Sequence, residues 1–91
     1  MYRIELTPAA ARQLERVRGP ALLALRGAIL ALADDPRPAD ARKLAGGTDL
    51  WRIRLRIERD PWRIIYQVRD TEHVVVVTRV ARRDEATYRH L

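Results

Sequence analysis

Leu50-Trp51-Arg52-Ile53-Arg54-Leu55-Arg56-Ile57, followed after four residues by Trp62-Arg63-Ile64-Ile65-Tyr66-Gln67-Val68-Arg69, is the stretch on which the fold turns. Strict alternation in the first run places Trp51, Ile53, Leu55 and Ile57 on one face of a strand and Arg52, Arg54 and Arg56 on the other. In the second run Trp62, Ile64, Tyr66 and Val68 face the core, while Arg63 and Arg69 join the cationic side. The intervening Glu58-Arg59-Asp60-Pro61 is polar and ends in a proline unsuited to a central ladder, which predicts a β-hairpin with a four-residue loop.

Upstream, Tyr2-Arg3-Ile4-Glu5-Leu6 alternates and reads as a short first strand with Tyr2, Ile4 and Leu6 inward. Thr7 is a good N-cap and Pro8 suits a first helical position, so a helix is expected from there to about Arg18, burying Ala10, Leu14 and Val17. Gly19 ends it. Pro20 begins a second helix that carries Leu22, Leu25, Ile29 and Leu32 at helical spacing, completing a helix hairpin. Asp34-Asp35-Pro36-Arg37-Pro38 stops that helix, and a loop or helical turn from Ala39 to Leu44 leads to Gly46-Gly47.

Downstream, Asp70-Thr71-Glu72-His73 is a turn, and Val74-Val75-Val76-Val77-Thr78-Arg79-Val80-Ala81 is too rich in β-branched residues to be other than a third consecutive strand. Ala81 to Leu91 forms a polar tail. The order β-α-α-β-β-β plus tail predicts one α+β domain over residues 1–91, with the two-helix hairpin packed on one face of an antiparallel sheet. A chain of 91 residues buries roughly 60–65% of its unfolded surface, enough for one modest core.

The absence of cysteine excludes a disulfide scaffold, a cysteine zinc site and a thiol nucleophile. The chain begins with a polar-alternating segment and contains no long apolar run, so neither a signal peptide nor a membrane association is expected, and a cytoplasmic setting is. Net charge is +6, which favours an anionic partner such as nucleic acid. Of 18 basic side chains only Lys43 is not arginine. Guanidinium clamps phosphate bidentately but does not accept protons at ordinary pH, so these residues supply electrostatics rather than acid-base chemistry.

Carrying the two-residue period into the last strand puts Val75, Val77, Arg79, Ala81 and Arg83 beside Arg52, Arg54 and Arg63, provided no bulge shifts the phase. For one arginine a solvated sheet face is explanation enough. Here, however, Arg52, Arg54, Arg56, Arg63, Arg69, Arg79 and Arg83 share a face while Glu58, Asp60, Asp70 and Glu72 sit in turns, and a surface of one sign suits a polyanion. Val75, Val77 and Ile65 on that face require cover, supplied either by the tail folding back or by a partner's helix or strand. The tail's Asp84, Glu85, Tyr88 and His90 are the groups near this face able to transfer protons, although a tyrosine and a histidine at a C-terminus are more often incidental, and His73 in a turn reads as solvated. No metal-ligand spacing, Gly-rich phosphate loop or Ser-His-Asp set is present, so the sequence calls for neither metal nor cofactor.

In this ordered set the chain resembles the RelE/ParE superfamily of bacterial toxin-antitoxin toxins. The resemblance rests on Tyr2 to Ala10, the Leu32 to Pro38 helix end, Lys43-Leu44-Ala45-Gly46, Leu50 to Arg54, Trp62 to Tyr66, and Val75 to Arg83 followed by Tyr88. The RelE-like branch cleaves mRNA in the ribosomal A site; the ParE-like branch poisons DNA gyrase. The resemblance implies a basic pair at Arg52 and Arg54, a transition-state arginine at Arg63, a late-strand arginine at Arg83, for which Arg82 competes, and a stacking or hydroxyl-donating tyrosine at Tyr88. Arg56, Arg79 and Arg82 are expected to bind RNA, and proton transfer falls to Glu85, His90 or the ribosome's own RNA. This set favours the mRNA-cleaving branch over the gyrase inhibitor, with a toxin of decayed catalytic set as a third reading. The implied partners are the ribosome with its mRNA and a cognate antitoxin that wraps the domain, operator DNA being reached only through the antitoxin complex.

Overall fold

The computed structural model describes residues 1–46 and 49–83. Its elements are β1 (Arg3–Leu6), α1 (Pro8–Glu15), α2 (Gly19–Ala31), β2 (Arg42–Lys43), β3 (Leu50–Ile57), β4 (Asp60–Arg69) and β5 (Val74–Arg82). All five strands form one sheet in the order β1-β5-β4-β3-β2. The α+β architecture is the predicted one, two helices on one face of a sheet, with two differences of detail. First, β1 lies parallel to β5, Arg3 opposite Val74 and Leu6 opposite Val77, so the sheet is mixed. A helix hairpin rather than a tight turn follows β1, and nothing local imposes an antiparallel partner. Second, Arg42–Lys43 is a short edge strand on β3 where a loop or helical turn was expected.

Thr7 caps α1 as its sequence position predicts: its Oγ1 accepts from the Ala10 amide at 3.2 Å, and Pro8 supplies a first helical residue whose missing N–H costs nothing. The helix ends at Glu15, a turn earlier than expected. Gly19, the first residue of α2, adopts φ +65, a left-handed conformation that glycine enters without strain, and Pro20 follows it in the first turn. Ala10, Leu25, Ile29 and Leu32 of the helical layer pack against Ile53, Ile64, Tyr66, Val68, Val75, Val77 and Val80 of the sheet. Tyr66 is fully buried and donates its hydroxyl to the Pro36 carbonyl at 2.7 Å; burial pushes its pKa up to about 12.

The β3–β4 loop is shorter than predicted. Asp60 and Pro61 belong to β4, paired with Ile57 and Arg56, and only Glu58 and Arg59 turn the chain. Both have positive φ, 54° and 91°, the signature of a type I′ turn made here without glycine. Register across the hairpin is regular, with Arg54 opposite Arg63, Ile53 opposite Ile64 and Trp51 opposite Tyr66.

In β5 the predicted phase is overturned. Its ladder with β4 shifts between Ile65 and Tyr66: Arg79 opposes Ile65, but Val77 opposes Tyr66, leaving Thr78 as an extra residue. Val75 and Val77 therefore face the helices and are fully buried, not stranded among the arginines, while Arg79 and Ala81 keep the predicted open face. Of the three residues thought to require cover, only Ile65 lies there. Thr78 holds the bulge by donating its hydroxyl to the Ile65 carbonyl at 3.2 Å and accepting the Thr7 hydroxyl on its own carbonyl at 3.3 Å. Beyond the end of β1, the Val80 amide donates to Gln13 Oε1 of α1 at 2.7 Å. Among the described residues no helix is long and apolar enough to cross a membrane.

Candidate functional site on the open sheet face

Backbone register brings the arginines together. Arg52, Ile65 and Arg79 form one row across β3, β4 and β5; Arg54, Arg63 and Ala81 form the next. Arg42 extends the first row from β2. Like charges directly opposite on adjacent strands destabilise a sheet, yet Arg54 faces Arg63 and Arg42 faces Arg52. Such a pattern opposes folding and suits an anion seated between the guanidinium groups. Small Ala81 leaves the row open on the β5 side of Arg63. Arg52, Arg63 and Arg79 are partly buried, Arg54 and Arg56 exposed, so the face combines half-buried charge at its middle with exposed charge at one end.

That end is shared by Arg56 and Arg83. Pro61 opposes Arg56 in the ladder, and its carbonyl accepts from the Arg83 amide at 2.7 Å, which ties the exit of β5 to the start of β4. Arg56 Nη1 reaches the Arg59 carbonyl at 3.5 Å. Arg82 is different: it pairs with Trp62, whose side chain packs with the core cluster, so it lies on the helix-covered face and not with the other arginines. This removes it from the open face and leaves Arg83 as the late-strand residue at that edge. Arg69 belongs to the far end, where it donates from Nε to Gln67 at 3.0 Å and lies 3.6 Å from Glu72. Glu85, Tyr88 and His90 fall outside the described residues. Among the described residues no group of three or more histidine, aspartate or glutamate side chains is arranged to hold a metal.

A second cluster, at the opposite end of the sheet, escapes a reading by strand period. Arg37, between two prolines, donates to both oxygens of Asp70 at 3.1 and 2.8 Å and pairs with Asp49. It also lies over the Trp51 ring, 5.5 Å from its centroid, and Trp51 Nε1 donates to Asp49 at 2.5 Å. Tyr2 donates its hydroxyl to Asp70 at 2.5 Å and stacks on His73, so that histidine is engaged rather than merely solvated. The hydrogen bonds from Arg37 and then Tyr2 hold the Asp70 carboxyl down at about 2. One arginine thus ties the start of β3, the β4–β5 turn and the segment after α2. The only sequence signal is an arginine locked between prolines, with acids in two distant loops.

The chain matches the family model for the ParE toxin of the type II toxin-antitoxin system parDE over residues 4–87. A search of curated proteins finds no significant match. Among solved structures, isolated RelE toxin from E. coli superposes with a TM-score of 0.78 at 27% identity, all of both chains being covered. The intact E. coli RelBE toxin-antitoxin complex gives 0.79 at 26% identity, covering 93% of this chain and 100% of that one. The RelBE2 complex from Mycobacterium tuberculosis gives 0.75 at 23% identity, with 90% and 98% covered, a likeness of fold. A ParE match across nearly the whole sequence and an overall likeness to the RelE fold agree on one assignment: this chain is a toxin of the type II toxin-antitoxin class, a member of the ParE toxin family within the RelE/ParE superfamily.

Proposed function

We propose that this toxin is a ribosome-dependent endoribonuclease that cleaves mRNA, and that the open arginine face is its active surface. The observation that carries the reading is the arginine pair Arg54 and Arg63, directly opposed on β3 and β4 and flanked by Arg52 and Arg79 on the same face. In the reaction the RNA 2′-oxygen attacks the adjacent phosphorus, the bond from phosphorus to the 5′-oxygen breaks, and the products are a 2′,3′-cyclic phosphate and a 5′-hydroxyl. Arg63 and Arg83 stabilise charge that builds on the phosphoryl oxygens, while Arg52 and Arg54 position the backbone. Tyr88 stacks on a splayed base or orients the 2′-hydroxyl. The 2′-hydroxyl proton passes to a base and the 5′-oxygen receives one, roles for Glu85, His90 or ribosomal RNA, since guanidinium accepts none. The likeness to RelE, solved both alone and with RelB, supports a cognate antitoxin that covers this domain, and reaction on ribosomes implies the cytoplasm.

The family model favours a second reading, inhibition of DNA gyrase through the same face. One experiment separates them. Purified toxin is added to a reconstituted translation reaction and new mRNA 5′ ends are mapped, with naked mRNA and Arg63→Ala alongside. Cuts at defined codon positions that need ribosomes, and that slow by roughly 10²–10³ in Arg63→Ala, are the expected result. Intact mRNA with undiminished translation refutes the nuclease, and loss of gyrase supercoiling activity in its place establishes the inhibitor.

A further inference from the structure

One polar side chain interrupts the core-facing stripe of α1. Ala10, Leu14 and Val17 turn toward the sheet at helical spacing, and Gln13 stands among them, half-buried. A carboxamide in that place costs stability unless it finds a partner, and here the partner is a backbone group. Gln13 Oε1 accepts from the Val80 amide at 2.7 Å. The reason lies in the edge of the sheet. β1 runs beside β5 only from Val74 to Val77, after which the Thr7 amide donates to the Val77 carbonyl at 3.0 Å and the chain departs into α1. The Arg83 amide points to β4, where it meets the Pro61 carbonyl at 2.7 Å, and the ladder between Arg79 and Arg82 is regular. By alternation the Val80 amide therefore points away from β4, into the space that β1 has left. Gln13 stands in for the absent strand at that buried amide, which needs an acceptor.

We propose that Gln13 is a positioning residue for RNA cleavage: by holding Val80 from the α1 side it fixes the end of β5, and so the aim of Arg83 at the phosphate seated by Arg54 and Arg63. The proposal rests on the nuclease reading above. The end of β5 carries Arg79 in the row of Arg52, Ala81 in the row of Arg63, and Arg83 beyond them. Its near side is fixed at the bulge, where the Thr78 hydroxyl donates to the Ile65 carbonyl and the Thr7 hydroxyl to the Thr78 carbonyl. Past the bulge, β4 holds it on one side and Gln13 on the other. Arg83 lies three residues beyond Val80, about 10 Å along an extended strand, so a swing of about 6° at Val80 displaces it by about 1 Å. A misplacement of about 1 Å costs up to about 10² in rate. The bond from the Arg83 amide to Pro61 resists such a swing, which leaves a smaller loss to be expected.

The test is single-turnover cleavage of ribosome-bound mRNA over a range of toxin concentrations, at a temperature below the unfolding midpoint of every variant. Gln13→Leu keeps the bulk and removes the acceptor. It is expected to lower the saturating rate about tenfold while the half-saturating concentration stays within about twofold, because Arg52 and Arg54 still hold the RNA. Gln13→Glu keeps an Oε acceptor and is expected to return the rate to within about threefold of wild type. In an Arg83→Ala background Gln13→Leu is expected to cost less than about twofold more, since the group it aims is gone. If Gln13→Leu does not fold, Gln13→Asn, one methylene shorter and out of reach of Val80, takes its place with the same expectations. Cleavage by these variants at the wild-type rate overturns the proposal. A loss that persists undiminished in the Arg83→Ala background, or that Gln13→Glu does not rescue, also overturns it and makes Gln13 a support of the fold alone. Wild-type toxin that leaves ribosome-bound mRNA intact brings down the nuclease reading, and the role of Gln13 with it.

Discussion

Asp70 shows how much a single partly exposed residue draws on its neighbours. Its side chain is 53% accessible, yet two guanidinium hydrogen bonds from Arg37 and one phenol bond from Tyr2 hold its pKa at about 2 against an ordinary 3.8. A carboxylate whose folded value lies below its unfolded one stabilises the native state fully above the unfolded value and loses that contribution as pH falls through the folded one. Asp70→Asn is therefore expected to lower the urea midpoint at pH 7 and to flatten its decline between pH 3.8 and about 2. Identical pH profiles for both proteins would refute this role. Arg37 itself was legible only as the residue between two helix-stopping prolines, because its partners Asp49 and Asp70 are distant in sequence and meet it only through sheet topology.

At the scale of the element, β5 does two jobs that a regular strand cannot combine. Val75 and Val77 must pack beneath the helices, while Arg79 and Ala81 must stand on the open face, and these four positions share one parity. The extra residue Thr78 changes the phase between them. Deleting Thr78 forces either the valines or Arg79 and Ala81 onto the wrong side, and the shortened chain is expected to show no cooperative unfolding transition by circular dichroism. Thr78→Val keeps the residue count and loses only the hydroxyl bond to Ile65, a change worth about 1 kcal/mol in denaturant unfolding. If the deletion variant unfolds cooperatively near the wild-type midpoint, the bulge is dispensable.

Across the whole molecule charge is sorted by end. Asp34, Asp35, Asp40, Asp49, Asp70 and Glu72 gather in the segments that follow α2, precede β3 and join β4 to β5, where Arg37 and Arg69 partly offset them. Arg16, Arg18, Arg54, Arg56, Arg59, Arg63, Arg82 and Arg83 gather at the other end, around the α1–α2 turn, the β3–β4 turn and the exit of β5, where Glu15, Glu58 and Asp60 only partly offset them. A polar distribution of this kind orients the protein as it approaches a polyanion, with screening over about 8 Å at physiological salt. If six or more phosphates are neutralised, toxin binding to programmed ribosomes is expected to weaken by about 10³ or more between 50 and 200 mM salt. A response flat in salt would show that contacts other than phosphate dominate.

The sequence by itself determined every element but the edge strand β2, the helix cap at Thr7, the hairpin faces of β3 and β4, and the membership of Arg52, Arg54, Arg56 and Arg63 in one cationic face. Each of these follows from period, capping chemistry or alternation within a few residues, interactions that neighbours along the chain decide. Only the tertiary structure decided the parallel seat of β1, the glycine-free turn at Glu58-Arg59, the phase change at Thr78, the side taken by Arg82 and the Arg37 cluster. Their common cause is long-range demand. A strand turns, slips or bulges to place its side chains against partners far away in sequence, and burying Val75 and Val77 outweighs the cost of one irregular residue.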